Sequence, residues 1–583
     1  METYLSRRLQ PNDVAATQQT CDLCTGPVIL EQRSAARVES NFPLSRIVVI
    51  FVFHGAYVYT RSKALACLCD SSIHPVRVFG RSSTVLRRHH PGADRACGMR
   101  QSAAPPAGDA APRIYFIPFP TPGHALPMSD LARLFASRGA DATLVLTHAN
   151  AARLGGPVAR AAAAGLRIRV HALPLPAEAA GLTGGHESAD DLPTREDAGP
   201  FAVAVDLLAP LFADLLRRHP ADAVVFDGVL PWAATAAAEL GIPRYAFTGT
   251  GCFALSVQRS LLLHTPQESV ASPTEPFLVP GLPDAVRLTR SRLAEATLPG
   301  ADSREFLNRM FDIERATAGW VVNSFADLED RYIEHYEKDT GKPVFAVGPV
   351  CLINGDGEDV LERGRGGEAG AAAEAARVLS WLDTKPGRSV VYVCFGSLTR
   401  FPREQVTELG MGLADSGANF VWVLGDKNAP PLPDVDTAAG GRGLVVRGWA
   451  PQVAVLRHAA VGAFVTHCGW GAVTEAAAAG VPVVAWPVFA EQFYNEALVV
   501  GIAGTGVGAG AERGYVWGGE EQGGVVVGRE KVAERVREAM ADEGLRRKAG
   551  EVGESARRAV EVGGSSYVAV GALLDDVRRR HGG

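Results

Sequence analysis

A histidine, two carboxylates, an amide and two indoles fall within one short span of the chain: Trp449, His467, Trp470, Glu475, Glu491 and Gln492. The stretch "FVTHCGWGAVTEAAAAGVPVVAWPVFAEQ" (464–492) sets most of them out in order. "AFVTHC" reads as a strand, and Gly469 lets the backbone turn. Trp470 to Ala479 is helical by its alanine content, with Gly480 as its cap, and "VPVVAWP" is the next strand. His467 therefore lies at a strand end just before a helix N-terminus. Such an end carries free N–H groups and positive potential, which suits a phosphate, and the histidine adds a donor. Glu475 sits one turn further in, within reach of sugar hydroxyls. Glu491 and Gln492, at the mouth of the next strand, could hold the hydroxyls of a second sugar. Trp449 offers a flat face to a base. Singly, each has a plainer reading: a core tryptophan, a satisfied structural histidine, a solvated glutamate. The signal is their joint spacing.

The elements that must position these residues begin at Arg113. "RIYFIPFP" reads as a buried strand, and a helix from about His124 to Arg138 carries Leu126, Leu131, Leu134 and Phe135 on one stripe, with Gly139 as its stop. The strand "DATLVLTH", a helix near 150–164 and the strand "LRIRVHALPL" follow. A polar loop (176–198), a helix near 200–217, the strand "DAVVFDG", a helix near 231–240 and the strand "PRYAFTG" come next. After a Pro-rich loop (272–301) the pattern gives a helix near 303–317, "GWVVNSF", a helix near 327–338 and "PVFAVGP". The charged, Gly-rich "LINGDGEDVLERGRGGEAG" (352–370) reads as a linker. Alternation then restarts with "SVVYVCFG", a helix near 402–416, "NFVWVLG", "GLVVRGW" and a helix near 451–460. Strands alternating with helices predict parallel sheets, so the fold class is α/β with two doubly wound domains. A ligand would lie in the cleft between strand carboxyl ends. Two more residues sit at such ends: His124, in "TPGHALP" after the first strand, and Asp227, closing "DAVVFDG". Local readings exist for both, as a packed helix-start residue and as a cap for the next helix.

Composition narrows the classes. The chain has 583 residues, 47% hydrophobic and 21% charged, with a net charge of −6 and mean hydropathy +0.05. That is globular, and nothing in it suggests a nucleic-acid partner, which would favour a basic face. Nine scattered cysteines suggest a reducing compartment and no disulfide framework. Residues 1–112 are Arg-, Ser- and Cys-rich with weak periodicity, and read as a disordered or transit-like extension, or as a stretch absent from the mature protein. Their Cys21-x-x-Cys24 and Cys67-x-Cys69 pairs, with His74, His89 or His90 nearby, match no compact zinc module. No run reaches the length of a membrane helix, the nearest being "IVVIFVF" (47–53). "GTGVGAG" (504–510) lacks a following helix, so it is a poor dinucleotide motif. Asp190-Asp191 and Asp575-Asp576 read as solvated.

"WAPQVAVLRHAAVGAFVTHCGWGAVTEAAAAGVPVVAWPVFAEQ" (449–492) resembles the signature box of plant secondary-product UDP-glycosyltransferases. The resemblance runs from about Arg113 to the C-terminus through "PFPTPGHALPMSDLARLFASRGADATLVLT", "VVFDGVLPWAATAAAELGIPR", "VVNSFADLE", "VGPV" and "SVVYVCFGSL". It implies the GT-B architecture: an acceptor domain (113–350), a linker (351–370) and a UDP-sugar domain (371–583) whose last helix packs back on the first domain. It implies that Trp449 stacks on uracil, with Ala450 beside it, that Gln452 helps hold the nucleoside, and that Glu475 binds the ribose. His467, Gly469 and the backbone around Ser397 meet the diphosphate. Trp470, Glu491 and Gln492 bind the transferred sugar, and a glutamine closing the box favours UDP-glucose. His124 becomes the general base and Asp227 its orienting partner. The implied reaction inverts the anomeric carbon and needs no metal or other cofactor, with a small hydroxylated metabolite (flavonoid, phenolic, terpenoid or hormone) as partner in a cytoplasmic monomer. One departure stands out: Gly471-Ala472 replaces the usual Asn-Ser, which removes an amide and a hydroxyl and leaves backbone N–H groups. A weakened donor site or a catalytically silent UDP-sugar-binding homologue is the alternative that follows. A membrane-anchored animal-type glucuronosyltransferase is disfavoured by "LLDDVRRRHGG" at the C-terminus.

Overall fold

The computed structural model describes residues 111–581, apart from residues 195, 299–300, 356, 365–369, 426–434 and 516–523; residues 301–303 and 436–437 are described in backbone only. Two short paired strands at Val48–Phe53 and Ala56–Arg61 are also described. The cysteine and histidine pairs considered for zinc lie outside the described residues.

Seven parallel strands form the first sheet: β1 (Arg113–Ile117), β2 (Asp141–Thr147), β3 (Ile168–Leu173), β4 (Ala223–Asp227), β5 (Arg244–Phe247), β6 (Trp320–Val322) and β7 (Val344–Ala346), in the spatial order β7-β6-β5-β4-β1-β2-β3. The second sheet has six: β8 (Val390–Cys394), β9 (Asn419–Leu424), β10 (Gly443–Arg447), β11 (Val461–Thr466), β12 (Val483–Ala485) and β13 (Gly506–Gly508), in the order β10-β9-β8-β11-β12-β13. Near-continuous runs of Val, Ile, Phe and Ala suit strands covered on both faces. In each sheet the chain leaves the first strand in one direction, then returns to pair on its other side. The order thus reverses between β1 and β4, and between β8 and β11, and each reversal opens a crevice at the strand carboxyl ends.

The last helix, Ser565–His581, packs against the first sheet and joins its core through Val570, Leu573, Leu574 and Val577. Tyr245 donates to Asp576 (2.6 Å), and the Arg138 guanidinium lies 3.4 Å from the centroid of the Tyr567 ring. Asp576 is therefore buried and hydrogen-bonded, not solvated as the sequence reading had it. Asp190 and Asp191 likewise pair with Arg153, at 3.1 and 2.6 Å.

Other elements depart from the sequence reading too. The helix expected near 200–217 divides at Leu207 into Ala198–Asp206 and Leu208–Arg218. Together they are long and apolar enough to cross a membrane, yet half of that span is buried within the protein. Among the described residues, two helices of more than ten residues were not anticipated, Cys252–His264 and Ala371–Asp383. The first is buried on nearly all sides, with Ser256, Arg259 and Ser260 buried among its apolar residues, so no amphipathic period marks it.

Candidate active site

The first reversal brings together two residues 103 positions apart in the chain. Asp227 is the last residue of β4, and β4 pairs with β1 in a register that sets Ile117 opposite Phe226. The chain leaves β1, turns, and enters the helix Pro122–Ser137, whose first turn carries His124. Nδ1 of His124 then lies 2.7 Å from Oδ2 of Asp227. The carboxylate is fully buried and held by the N–H groups of Phe119 (3.1 Å to Oδ2) and Val229 (3.2 Å to Oδ1). With Nδ1–H donating to Asp227, Nε2 is left to accept a proton. Burial pushes the His124 pKa down, but the charge and hydrogen bond of Asp227, with the charge of Glu491, outweigh it, and the net shift is upward. Gly249, at φ +69°, backs the ring: a Cβ there would lie 3.5 Å from Cε1.

His124 opens on a cavity of about 200 Å3. Its walls are mostly apolar, with Val229, Leu255, Phe306, Met310 and Ile313, and Glu491 joins them from the second domain. A hydroxylated apolar molecule would fit such walls. Burial raises the Glu491 pKa, and the His124 charge opposes that rise, so the two groups sense one another across the cleft.

The second reversal places His467, just past β11, beside the turn after β8. Cys468, at φ +61°, turns the chain, and Gly469 caps the helix Trp470–Ala479. A Cβ at Gly469 would lie 2.4 Å from Nε2 of His467, and one at Gly396 would lie 2.9 Å from its Cε1. Both positions therefore require glycine, and the ring sits between two bare stretches of backbone. Burial pulls the His467 pKa down to about 4, against a hydrogen bond to the Cys394 backbone. The ring is neutral near pH 7, an N–H donor and not a cation. Ser397, the residue after Gly396, is exposed. At Gly471 a Cβ would meet nothing within 4 Å, while Ala472 is buried.

Three of the expected ligand residues are engaged otherwise. The indole of Trp470 is 2% exposed, and its Nε1 donates to the Asn323 carbonyl (2.8 Å). It is a bolt between domains, and its side chain does not face a sugar. Gln492 Oε1 accepts from the N–H groups of Val488 (2.9 Å) and Phe489 (3.1 Å), which leaves only its amide nitrogen for a ligand. Glu475 accepts from Gln452 (2.7 Å) and from Arg363 (2.5 Å). Trp449 is half-buried and Ala450 buried. Gly364 lies between Leu126, two residues past His124, and the Trp449 indole: a Cβ there would be 3.3 Å from Leu126 Cδ1 and 3.8 Å from Trp449 Nε1. The residues assigned to base and ribose thus border the same cleft as the acid–base pair.

Some contributors had no sequence signal. Glu329, buried within the helix Ala326–Thr340, accepts from the N–H groups of Cys252 (3.3 Å) and Phe253 (2.7 Å) and so caps the unanticipated helix. Its pKa is pushed up to about 7 by burial, against the hydrogen bonds of Ser324 and those two N–H groups. Tyr494, in the helix Gln492–Glu496, holds the cavity wall from the other domain: its hydroxyl accepts from the Ala294 N–H (3.0 Å) and pairs with Thr297 Oγ1 (2.9 Å).

Comparison with known proteins gives three findings. Residues 372–510 match the family model described as UDP-glucoronosyl and UDP-glucosyl transferase. The chain is 41% identical to the UDP-glucose flavonoid 3-O-glucosyltransferase 7 of Fragaria ananassa over 477 residues, 80% of this chain and 96% of the relative. It is 38% identical to the scopoletin glucosyltransferase of Nicotiana tabacum, over 80% of this chain and 97% of the relative. Among solved structures, Glycyrrhiza uralensis UGT73P12 complexed with glycyrrhetinic acid 3-O-monoglucuronide aligns with a TM-score of 0.75 at 36% identity, covering 81% of this chain and 96% of that one. Medicago truncatula UGT71G1 complexed with UDP-glucose aligns with a TM-score of 0.65 at 26% identity, covering 80% and 98%.

Proposed function

The chain belongs to the plant UDP-glycosyltransferase family, and from that premise we propose that it transfers glucose from UDP-glucose to a hydroxyl of a small plant metabolite, a flavonoid, phenolic, terpenoid or hormone, as an inverting enzyme. The observation that carries the reading is the His124–Asp227 pair opening on an apolar cavity that Glu491 completes from the other domain.

A phenol or alcohol is a weak nucleophile at neutral pH, so a base must take its proton as it attacks. Nε2 of His124 would do so, and Asp227 would hold the tautomer and stabilise the imidazolium that forms. The attacked carbon carries oxocarbenium character as UDP departs from the opposite face, so one displacement converts an α-linked donor into a β-glucoside. The leaving diphosphate gains charge. It would meet the N–H groups at the start of the helix Trp470–Ala479, with the neutral ring of His467 beside it. Trp449 and Glu475 would hold uracil and ribose, and Glu491 with the remaining amide of Gln492 the glucose. No metal enters this scheme, and a cytoplasmic monomer is sufficient for it.

Gly471 and Ala472 favour one second reading, a silent UDP-sugar-binding homologue. One experiment separates the two. UDP release is measured with UDP-glucose and a panel of flavonoid, coumarin and hormone acceptors, for the wild type and for His124→Ala. Turnover that disappears in the variant supports the enzyme. Binding of UDP-glucose with no turnover on any acceptor supports the silent homologue.

A further inference from the structure

We infer that Arg363 is a positioning residue for the donor: it clamps the Glu475 carboxylate and must release it when the ribose binds. This rests on the assignment of Glu475 to the ribose. Arg363 belongs to the segment between the two sheets, read from sequence as a charged linker. Its guanidinium bridges the two domains. Nε donates to Oδ2 of Asp130 (2.9 Å) on the helix Pro122–Ser137, and a terminal nitrogen lies 2.8 Å from the same oxygen. The other terminal nitrogen donates to Oε1 of Glu475 (2.5 Å) on the helix Trp470–Ala479. All three side chains are at least nine-tenths buried.

The fork geometry of a guanidinium suits two carboxylates at once. The segment that delivers it is pinned on both sides. Asp359 pairs with Arg133 and Arg160, and Glu362 pairs with Arg160 (2.8 Å). Arg457 donates to the carbonyl of Asn354 (3.1 Å). The clamp is therefore held in place by the fold on either side of it.

The consequence is that Glu475 is closed. One oxygen accepts from Gln452 and the other from Arg363, and the side chain is 8% exposed. A ribose diol cannot reach it in this state. The next residue, Gly364, lies against Trp449, so the same turn of chain also covers one edge of the base site. A nucleoside that used both Trp449 and Glu475 would have to displace residues 363–364. Arg363 would then set donor affinity by competing with the ribose hydroxyls for one carboxylate.

The test is UDP binding by calorimetry to the full chain and to Arg363→Gln, with 2′,3′-dideoxy-UDP as the ribose-defective probe. The clamp predicts that UDP binds Arg363→Gln about tenfold more tightly than wild type, whereas dideoxy-UDP, which cannot use Glu475, gains nothing. Arg363→Lys, which keeps the charge but not the fork, falls between, and it carries the test if the glutamine variant fails to fold. UDP affinity that is unchanged or weaker in both variants overturns the clamp. So does an equal gain for both nucleotides, which would mean general loosening of the cleft. If the folded wild type and variants all fail to bind UDP, the donor-site assignment itself falls.

Discussion

Replacing Asp227 by asparagine removes one charge and nearly preserves shape. Both carboxylate oxygens are committed: Oδ2 to the Phe119 N–H and to His124 Nδ1, Oδ1 to the Val229 N–H. An amide has one acceptor oxygen. The least costly arrangement turns its NH2 toward Val229, where the existing bond is longest, and keeps Nδ1 bonded. The tautomer then survives, and what is lost is charge. A unit pair about 4 Å apart at an effective dielectric of about 20 is worth about 4 kcal/mol. In the proposed reaction the imidazole becomes imidazolium, so the variant should lose about 3–4 kcal/mol of transition-state stabilisation, roughly 10²–10³ in rate. The pH profile adds a sign. With His124 as the proposed base, neutral imidazole is the active form, so activity should fall as pH drops through the His124 pKa. In the wild type that pKa lies above the ordinary 6.5 because Asp227 and Glu491 outweigh burial. Without the Asp227 charge, burial should dominate, and the acid limb should move to lower pH. The assay is kcat/KM for a turned-over acceptor, by initial rate of UDP release, from about pH 5 to 9. A plateau within about threefold of wild type, or an acid limb that moves upward, would refute the assignment of Asp227 as partner to a general base.

Three further outcomes follow from neighbouring contacts. Gly471→Asn with Ala472→Ser should lower the KM for UDP-glucose or raise kcat by about five- to tenfold, since a Cβ at 471 meets no atom within 4 Å and each regained hydrogen bond to a charged group is worth about 1–3 kcal/mol; unchanged constants would reject it. Tyr494→Phe removes the hydroxyl that holds Ala294 and Thr297, and should raise acceptor KM about fivefold while leaving the affinity for UDP unaltered, as checked by steady-state kinetics and calorimetry; equal loss in both would point to a general structural defect. Glu329→Gln should flatten the pH dependence of stability. The folded-state pKa is raised from 4.5 to about 7, so this group's stabilising contribution is present below 4.5 and lost as pH rises through 7. The wild type loses up to about 3 kcal/mol over that window, and glutamine does not titrate. Thermal melts across the window decide it, and an identical slope in both proteins would sink the argument.

The sheets were legible because buried parallel strands are written as short apolar runs, and the box around His467 because a glycine turn and an alanine-rich helix are local signals. His124 and Asp227 were legible as strand-end residues, but their meeting depends on strand order, and a one-dimensional pattern does not state which strand lies beside β1. The helix Cys252–His264 was missed since burial on all sides erases periodicity, and its cap is Glu329, 76 or more residues away. The inter-domain bond of the tryptophan at 470 was missed for a related reason. Its indole lies in a helix of one domain, and the carbonyl it bonds is on the other. Arg363 carried no signal at all: in a charged, glycine-rich run one arginine looks like any solvated residue, and its partners lie 112 and 233 positions away.

Four residues share a location, and it bears on how the cleft works. Trp470, Tyr494, Glu491 and Arg363 all act across the boundary between the two sheets. A helix of five residues, Gln492–Glu496, follows Glu491 in the chain and grips the cavity wall through Tyr494 and through the Glu496–Arg292 pair (2.8 Å). The wall that faces the acceptor is thus held by the domain assigned to the donor. A donor that shifts Glu491 must also move this helix, and with it residues 292–297. Acceptor selectivity in this protein should therefore depend on donor occupancy, because the Tyr494 and Glu496 contacts tie the residues after β12 to the cavity wall.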